Sequence, residues 1–322
     1  MPVPTLTAAT LRPATRPTLY FIGVTTGSSS IQRVFPAWAE VLGVDAILTG
    51  IDLPVHAPEE DYRRVVEFIR DDDLSLGALV TTHKIDLYRA ARDVFDERDF
   101  FAELMGEVSC IAKRDNKLIG SAKDPISSGL ALDAIIPADH WIKNPDATVV
   151  SMGAGGSTIA ISWYLSQLNR GDNRPRKIVV TNRSEPRLQH LSEIREEIDT
   201  DTPFEYVHAP SAAHNDSVVS IQPPGSLIIN ATGLGKDAPG SPLTRAVSFP
   251  DRALVWDLNY RGDMVFLDQA REQQSRQHLD IHDGWEYFLH GWTQVIGDVF
   301  QVHIPTSGPE FDKLSDIARS TR

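Results

Sequence analysis

The chain of 322 residues has a single cysteine, Cys110. No internal disulfide can form, no cysteine-rich metal site exists, and a reducing, cytoplasmic location is expected. Long apolar runs are missing too: nothing approaches the roughly 18–20 residues that span a bilayer. Basic charge is in short supply, with 31 Lys and Arg against 44 Asp and Glu and a net charge of −13. That balance argues against nucleic acid or an anionic membrane as the main partner. It leaves room for a local basic site that takes an anionic small molecule. The first 18 residues, MPVPTLTAATLRPATRPT, lack the apolar core of a signal peptide, and residues 1–16 are expected to form a flexible leader. No internal repeat or long low-complexity tract is present, and no metal is expected.

What the sequence does contain is an alternation of apolar strands and helical patterns. LYFIGVTT (19–26) is strand-like, and SIQRVFPAWAEVLG (30–43) has helical spacing with Pro36 limiting its first turn. VDAILTGIDL (44–53) reads as a strand, DYRRVVEFIRDD (61–72) as an amphipathic helix, and GALVTT (77–82) as a buried strand. KIDLYRAARDVF (84–95) continues as a helix, and VSCIAKRDNKLIGSA (108–122) reads as a hairpin turning at Asp115-Asn116. HWIKNPDA (140–147) breaks the rhythm and marks a domain boundary. Beyond it TVVSM, KIVVT, FEYVHA, SLIIN and ALVWD predict a parallel, doubly wound sheet. The fold class is therefore α/β, and an aromatic, largely helical segment, 284–304, follows the second pattern.

SMGAGGSTIA (151–160) lies between a predicted strand and a helix. Gly153, Gly155 and Gly156, with Ala154 and Ser157, would let a pyrophosphate approach the backbone, and the helix start would offer unpaired N–H groups. A methyl-donor site would share that turn, so the next strand decides more. KIVVT ends in Asn182-Arg183-Ser184, with Arg187 one turn on. An NAD site usually carries an acid at this strand end. Arginines there match a 2′-phosphate, so NADP is the expected cofactor. Glu185 dissents, but it can point to solvent.

From about Phe21 to Phe300 the order of these features resembles the shikimate dehydrogenase family. The GAGGST turn and NRSEPR tip are similar to its NADP-binding motifs. INATGLG (229–235) matches its segment beside the nicotinamide, bringing in Asn230, Ala231, Thr232 and Gly233. The family's NVTxPxK motif aligns with Ala78 to Lys84, its GxNTD with GSAKD (120–124), and its Ser-x-Ser with Ser28 and Ser30. The resemblance implies Lys84 and Asp124 as the catalytic pair. It implies carboxylate binding by Ser28 and Ser30, and substrate contact by Ser109 and Tyr260. The family's C-terminal glutamine is Gly291 here, with Gln294 one turn away as its substitute. It further implies a substrate domain over 1–140, a Rossmann-type NADP domain over 141–283, and a C-terminal segment, 284–322, packing back on the first.

The departures bear on the substrate. The motif asparagine and threonine are Ala78 and Val80, the asparagine of a second motif is Ser109, and Ala122 and Lys123 precede Asp124. Sites that hydrogen-bond hydroxyls discriminate strongly, because an unpaired buried polar group is costly. The expected activity is thus hydride transfer between NADP(H) and a cyclic hydroxy- or keto-carboxylate, with shikimate not the best substrate. Lys84 would hold the hydroxyl proton and Asp124 would orient it. His83, on the opposite side of a regular strand, is expected to be structural or pocket-lining. Trp285, Tyr287 and Trp292 read as core that could narrow the pocket, and His290 and His303 as possible substrate contacts. The resemblance also implies a place in aromatic amino acid biosynthesis and a monomer or homodimer. The alternatives are an authentic shikimate or quinate dehydrogenase, a catalytically silent NADP-binding protein and, more remotely, a methyltransferase.

Overall fold

The computed structural model describes residues 4–236 and 238–321. The first three residues of the expected leader and the last residue of the C-terminal segment lie outside them. The chain divides into two compact units, Met1–Lys123 with Gly291–Arg322, and Asp124–His290.

The first unit is built on a six-stranded sheet of order β2-β1-β3-β5-β6-β4. Its strands are β1 (Thr18–Gly23), β2 (Ile47–Asp52), β3 (Ser75–Val80), β4 (Glu97–Arg98), β5 (Cys110–Arg114) and β6 (Lys117–Ser121). β1, with six buried residues, is the continuous apolar run of a strand covered on both faces. β2, β1 and β3 are parallel, whereas β5 runs antiparallel to both β3 and β6. Asp115 (φ 49°) and Asn116 (φ 61°) both take the left-handed conformation at the β5–β6 turn. Two such residues define the hairpin turn whose twist matches that of its strands. The helix Glu59–Asp71 buries Tyr62, Val65, Val66 and Ile69 as one stripe, with three acids in its first turn and Arg70 in its last. Both features are what an amphipathic helix and its dipole favour. Pro36 sits inside the helix Ile31–Leu42 rather than in its first turn.

The flexible-leader expectation needs correcting. The Leu6 N–H donates to the Gly50 carbonyl at 2.9 Å, and Asp52 N–H donates to the Leu6 carbonyl at 2.8 Å. Thr5 adds a hydroxyl bond to Asp52, and Ala8 is buried. The leader thus caps the edge of β2, where exposed backbone groups would otherwise stand open. The C-terminal helix Pro309–Ser320 also belongs to this unit. Its Leu314 carbonyl accepts a 2.9 Å bond from the buried Trp38 indole.

The second unit carries a wholly parallel six-stranded sheet of order β12-β11-β10-β7-β8-β9. Its strands are β7 (Val149–Met152), β8 (Ile178–Asn182), β9 (Phe204–His208), β10 (Leu227–Asn230), β11 (Leu254–Asp257) and β12 (Asp280–His282). Counted from β7 this is the 3-2-1-4-5-6 order, and strand order reverses between β7 and β10. The unit begins at Asp124, so the expected boundary at 140/141 falls inside it. The reason is the helix Asp124–Ile135, rich in small residues, whose Gly129 lies against Tyr164 of the helix Gly156–Leu165. A β-carbon at 129 would come within 2.4 Å of that ring. The HWIK segment is likewise bound into this unit, with Trp141 buried and His140 Nε2 2.8 Å from the Gly225 carbonyl. No helix among the described residues is long and apolar enough to cross a membrane.

Candidate active site

The glycine turn stands at the carboxyl end of β7, beside the point where strand order reverses. Gly153 has φ 115°, and a β-carbon there would lie 2.4 Å from the Ala231 carbonyl oxygen. No other residue fits. The turn is fixed from within: the Gly153 N–H donates to Thr181 O at 2.8 Å, and the buried Thr158 hydroxyl donates to Gly153 O at 2.8 Å. A β-carbon on Gly155 would meet nothing within 4 Å, so there is open space at the turn just before the helix Gly156–Leu165. Rigid support beneath and space above are what an anion cradle needs.

At the tip of β8 the Asn182 side chain accepts the Ser184 N–H at 2.9 Å, closing a tight turn. Arg183 and Arg187 are exposed, and among the described residues neither guanidinium has a hydrogen bond or ion pair. The nearby acid, Glu185, is instead 3.1 Å from His208 Nδ1. The tip therefore presents unneutralised positive charge. Together with the cradle it fits a phosphorylated dinucleotide.

Asn230, at the end of β10, is fully buried. Its amide donates to Leu234 O and to Asp257 Oδ1, both at 3.2 Å, while its oxygen accepts from Thr232 N–H and hydroxyl. Asn230 and Thr232 thus shape the loop through Ala231 and Gly233. Asp257, wholly buried at the end of β11, has its pKa pushed up to about 6 by burial, against the opposing bonds from Asn259 and Asn230. The Tyr260 ring packs on Phe288 at 4.5 Å and Trp285 at 5.6 Å.

Asp124 opens its helix and is buried. Tyr287, on the helix Trp285–Phe300, donates its hydroxyl to Asp124 Oδ2 at 2.9 Å. The same hydroxyl lies 3.2 Å from Ser157 Oγ, at the glycine turn. This contact was not legible in the sequence, because 163 residues separate the two partners. His290, near the same helix's middle, is buried, which holds its pKa down at about 4.

In the first unit Lys84 is the first residue of the helix Lys84–Ala91, directly after β3 and its turn. The turn is strained: Thr82, a β-branched residue, has φ 55°. His83 is buried with its Nδ1 3.0 Å from the Tyr62 hydroxyl, and burial lowers its pKa. It has a structural place. Ser28 lies in a short 3-10 turn with its hydroxyl donating to Thr25 O at 2.9 Å, and Ser30 is buried beside the start of the next helix. Ser109 accepts the Lys123 N–H at 2.7 Å and so shapes the strand end that leads to Asp124. Ala78 and Val80 pack into the apolar cluster of this unit with Leu87 and Ile111.

Sequence reading also missed an ionic cluster. Lys123 Nζ is 2.7 Å from Asp298 Oδ2, and Arg114 reaches the same carboxylate and the Asp298 carbonyl. Gln294 and His303 line a cavity of 260 Å³ next to Lys123 and Asp298. Cys110 is fully buried in β5, 3.7 Å from Asp298, and burial pushes its pKa up to about 12. His278 and His282 are four residues apart, a spacing that can hold a metal, but they pair separately with Asp251 and Asp280. No group of three or more His, Cys, Asp or Glu side chains placed to hold a metal ion occurs among the described residues.

No family model matches the chain. In sequence it is 26% identical over 225 residues to the NADP(+) shikimate dehydrogenase of Lactococcus lactis subsp. cremoris, covering 70% of this chain and 73% of the relative. In structure it is similar to a shikimate 5-dehydrogenase of Thermus thermophilus in complex with NADP(H) and shikimate, with a TM-score of 0.68 at 20% identity over 95% of this chain and 99% of that one. It is similar also to a quinate dehydrogenase of Corynebacterium glutamicum in complex with NAD, with a TM-score of 0.70 at 18% identity over 95% and 99% of the two chains.

Proposed function

We infer that the chain is a member of the shikimate dehydrogenase family and works as an NADP-dependent oxidoreductase on a CH–OH group. The observation that carries this is the second unit's anion cradle: a glycine whose β-carbon would strike backbone, beside two guanidiniums at the adjacent strand tip that are unpaired among the described residues. Gly153, Ala154, Gly155, Gly156 and Ser157 would hold the pyrophosphate. Asn182, Arg183, Ser184 and Arg187 would hold the 2′-phosphate. The loop from Asn230 to Gly233 would border the nicotinamide. The cofactor, when bound, supplies or accepts the hydride.

The protein's own groups handle the proton. Oxidising a secondary alcohol requires its hydroxyl proton to leave as the hydride departs. Lys84 takes that proton and returns it in the reverse direction, and Asp124 orients the hydroxyl. Ser28 and Ser30 bind the substrate carboxylate, with Ser109, Tyr260 and Gln294 at the remaining contacts. The substrate is a cyclic hydroxy-carboxylate or its ketone, less hydroxylated than shikimate or hydroxylated differently. Ala78 and Val80 support this, since both are apolar, buried side chains where the family's pattern has hydroxyl-binding ones. The names of the relatives favour shikimate or quinate itself as the second reading.

Nicotinamide absorbance during a screen of shikimate, quinate, their aminated relatives and simpler ring acids separates these readings. Turnover of a hydroxylated ring acid with NADP+ at a higher kcat/KM than shikimate supports the first; a preference for shikimate removes it. On the substrate so found, Lys84→Ala should lose at least about a hundredfold in kcat. Full turnover by that variant would end the assignment of Lys84.

A further inference from the structure

Ser157, Tyr287 and Asp124 form a line of hydroxyl contacts inside the second unit. Donor bookkeeping gives the line a direction. A carboxylate oxygen only accepts, and a phenol has one proton. Tyr287 donates that proton to Asp124 Oδ2 at 2.9 Å. The 3.2 Å contact with Ser157 must then run from the serine hydroxyl to the tyrosine oxygen. Ser157 is the second residue of the helix Gly156–Leu165, so its hydroxyl proton sits where an anion on that helix start would also claim it. The Tyr287 ring is steadied by Trp256, edge to face at 6.0 Å.

We propose that Tyr287 is a positioning residue that couples occupancy of the glycine turn to the carboxylate of Asp124. The proposal rests on Asp124 being half of the catalytic pair. While Ser157 gives its proton to Tyr287, the phenol is polarised and holds Asp124 more firmly. A phosphate oxygen competes for the same serine proton. Once it takes that proton, Tyr287 loses the serine's hydrogen bond, its hold on Asp124 weakens, and the carboxylate becomes a better acceptor for the substrate hydroxyl. No covalent bond is made or broken; one hydrogen bond is exchanged for another. Dinucleotide binding thereby readies the acid before the substrate arrives.

This scheme gives Tyr287→Phe an unusual sign. Loss of the phenol frees the Ser157 hydroxyl for the phosphate, so NADP+ should bind about 3- to 10-fold tighter, the worth of one hydrogen bond. The kcat on the substrate identified by the screen should stay within about threefold, since with NADP+ bound the phenol's hold on Asp124 is already relaxed. In a Ser157→Ala background the same change should leave NADP+ affinity within twofold. Calorimetric titration with NADP+ reads these effects without any turnover. Asp124→Asn provides a second variant: as a weaker acceptor it should also tighten NADP+ binding, by a smaller factor. Unchanged or weaker NADP+ binding by Tyr287→Phe at an unaltered melting temperature would overturn the coupling. So would tightening that persists without Ser157. If instead Lys84→Ala and Asp124→Asn keep full turnover, the catalytic reading falls, whatever the titration shows.

Discussion

Under the proposed function, cofactor choice turns on two side chains, Arg183 and Arg187. Each has a guanidinium unpaired among the described residues, at the tip of β8. Charge-assisted bonds to a phosphate are worth roughly 1.5–3 kcal/mol each. Arg183→Ala should therefore weaken NADP+ binding by about 10- to 100-fold and leave NAD+ binding within threefold, as read by titration with both. Thr82 is a different case, because its exposed side chain packs on little while its backbone is left-handed. Such conformations cost on the order of 1–3 kcal/mol in a β-branched residue, and glycine returns part of that as unfolded-state entropy. Thr82→Gly should raise stability by about 1 kcal/mol in urea unfolding. Neither the strain nor the Tyr287 contact is legible in the sequence, since both are facts of three-dimensional placement. Lys84 and the β8 arginines are legible, because strand-then-turn context accompanies them within a few residues.

Among the elements, the turn after β7 is the least tolerant. Gly153→Ala would force a β-carbon to 2.4 Å from a backbone oxygen in a conformation that L residues avoid. The expected cost is on the order of 3 kcal/mol, with loss of NADP+ binding, measurable by thermal unfolding with and without the nucleotide. Strong periodicity made the helix Glu59–Asp71 and the β5–β6 hairpin readable. The helix Asp124–Ile135 gave no such signal: Pro125, Ser127, Gly129 and Ala131 are buried around it, so its apolar residues follow no face. That hides the start of the second unit, at Asp124, from the sequence pattern. β12, three residues long, and β4, of two, are too short to show any alternation.

Over the whole molecule, two buried groups of the second unit oppose each other in their effect on acid stability. Asp257 has its folded pKa raised to about 6 from 3.8, so the folded state holds a proton that the unfolded state has lost. Its contribution is present at low pH and disappears as pH rises from about 4 through 6. His290 has its folded pKa lowered to about 4 from 6.5, so its contribution is complete above 6.5 and is lost as pH falls towards 4. Each displacement corresponds to on the order of 3 kcal/mol, and the two windows overlap. Asp257→Asn should leave a profile in which stability rises with pH across this range, and His290→Gln one in which it falls. Denaturant unfolding at pH 4.5 and pH 7 checks both signs. The burial of Cys110 has a practical sequel. Its sulfur is shut off from solvent and resists ionisation, so maleimides should leave the native protein unmodified. A cysteine engineered at any exposed site would then carry a fluorophore alone, with the natural thiol left in place.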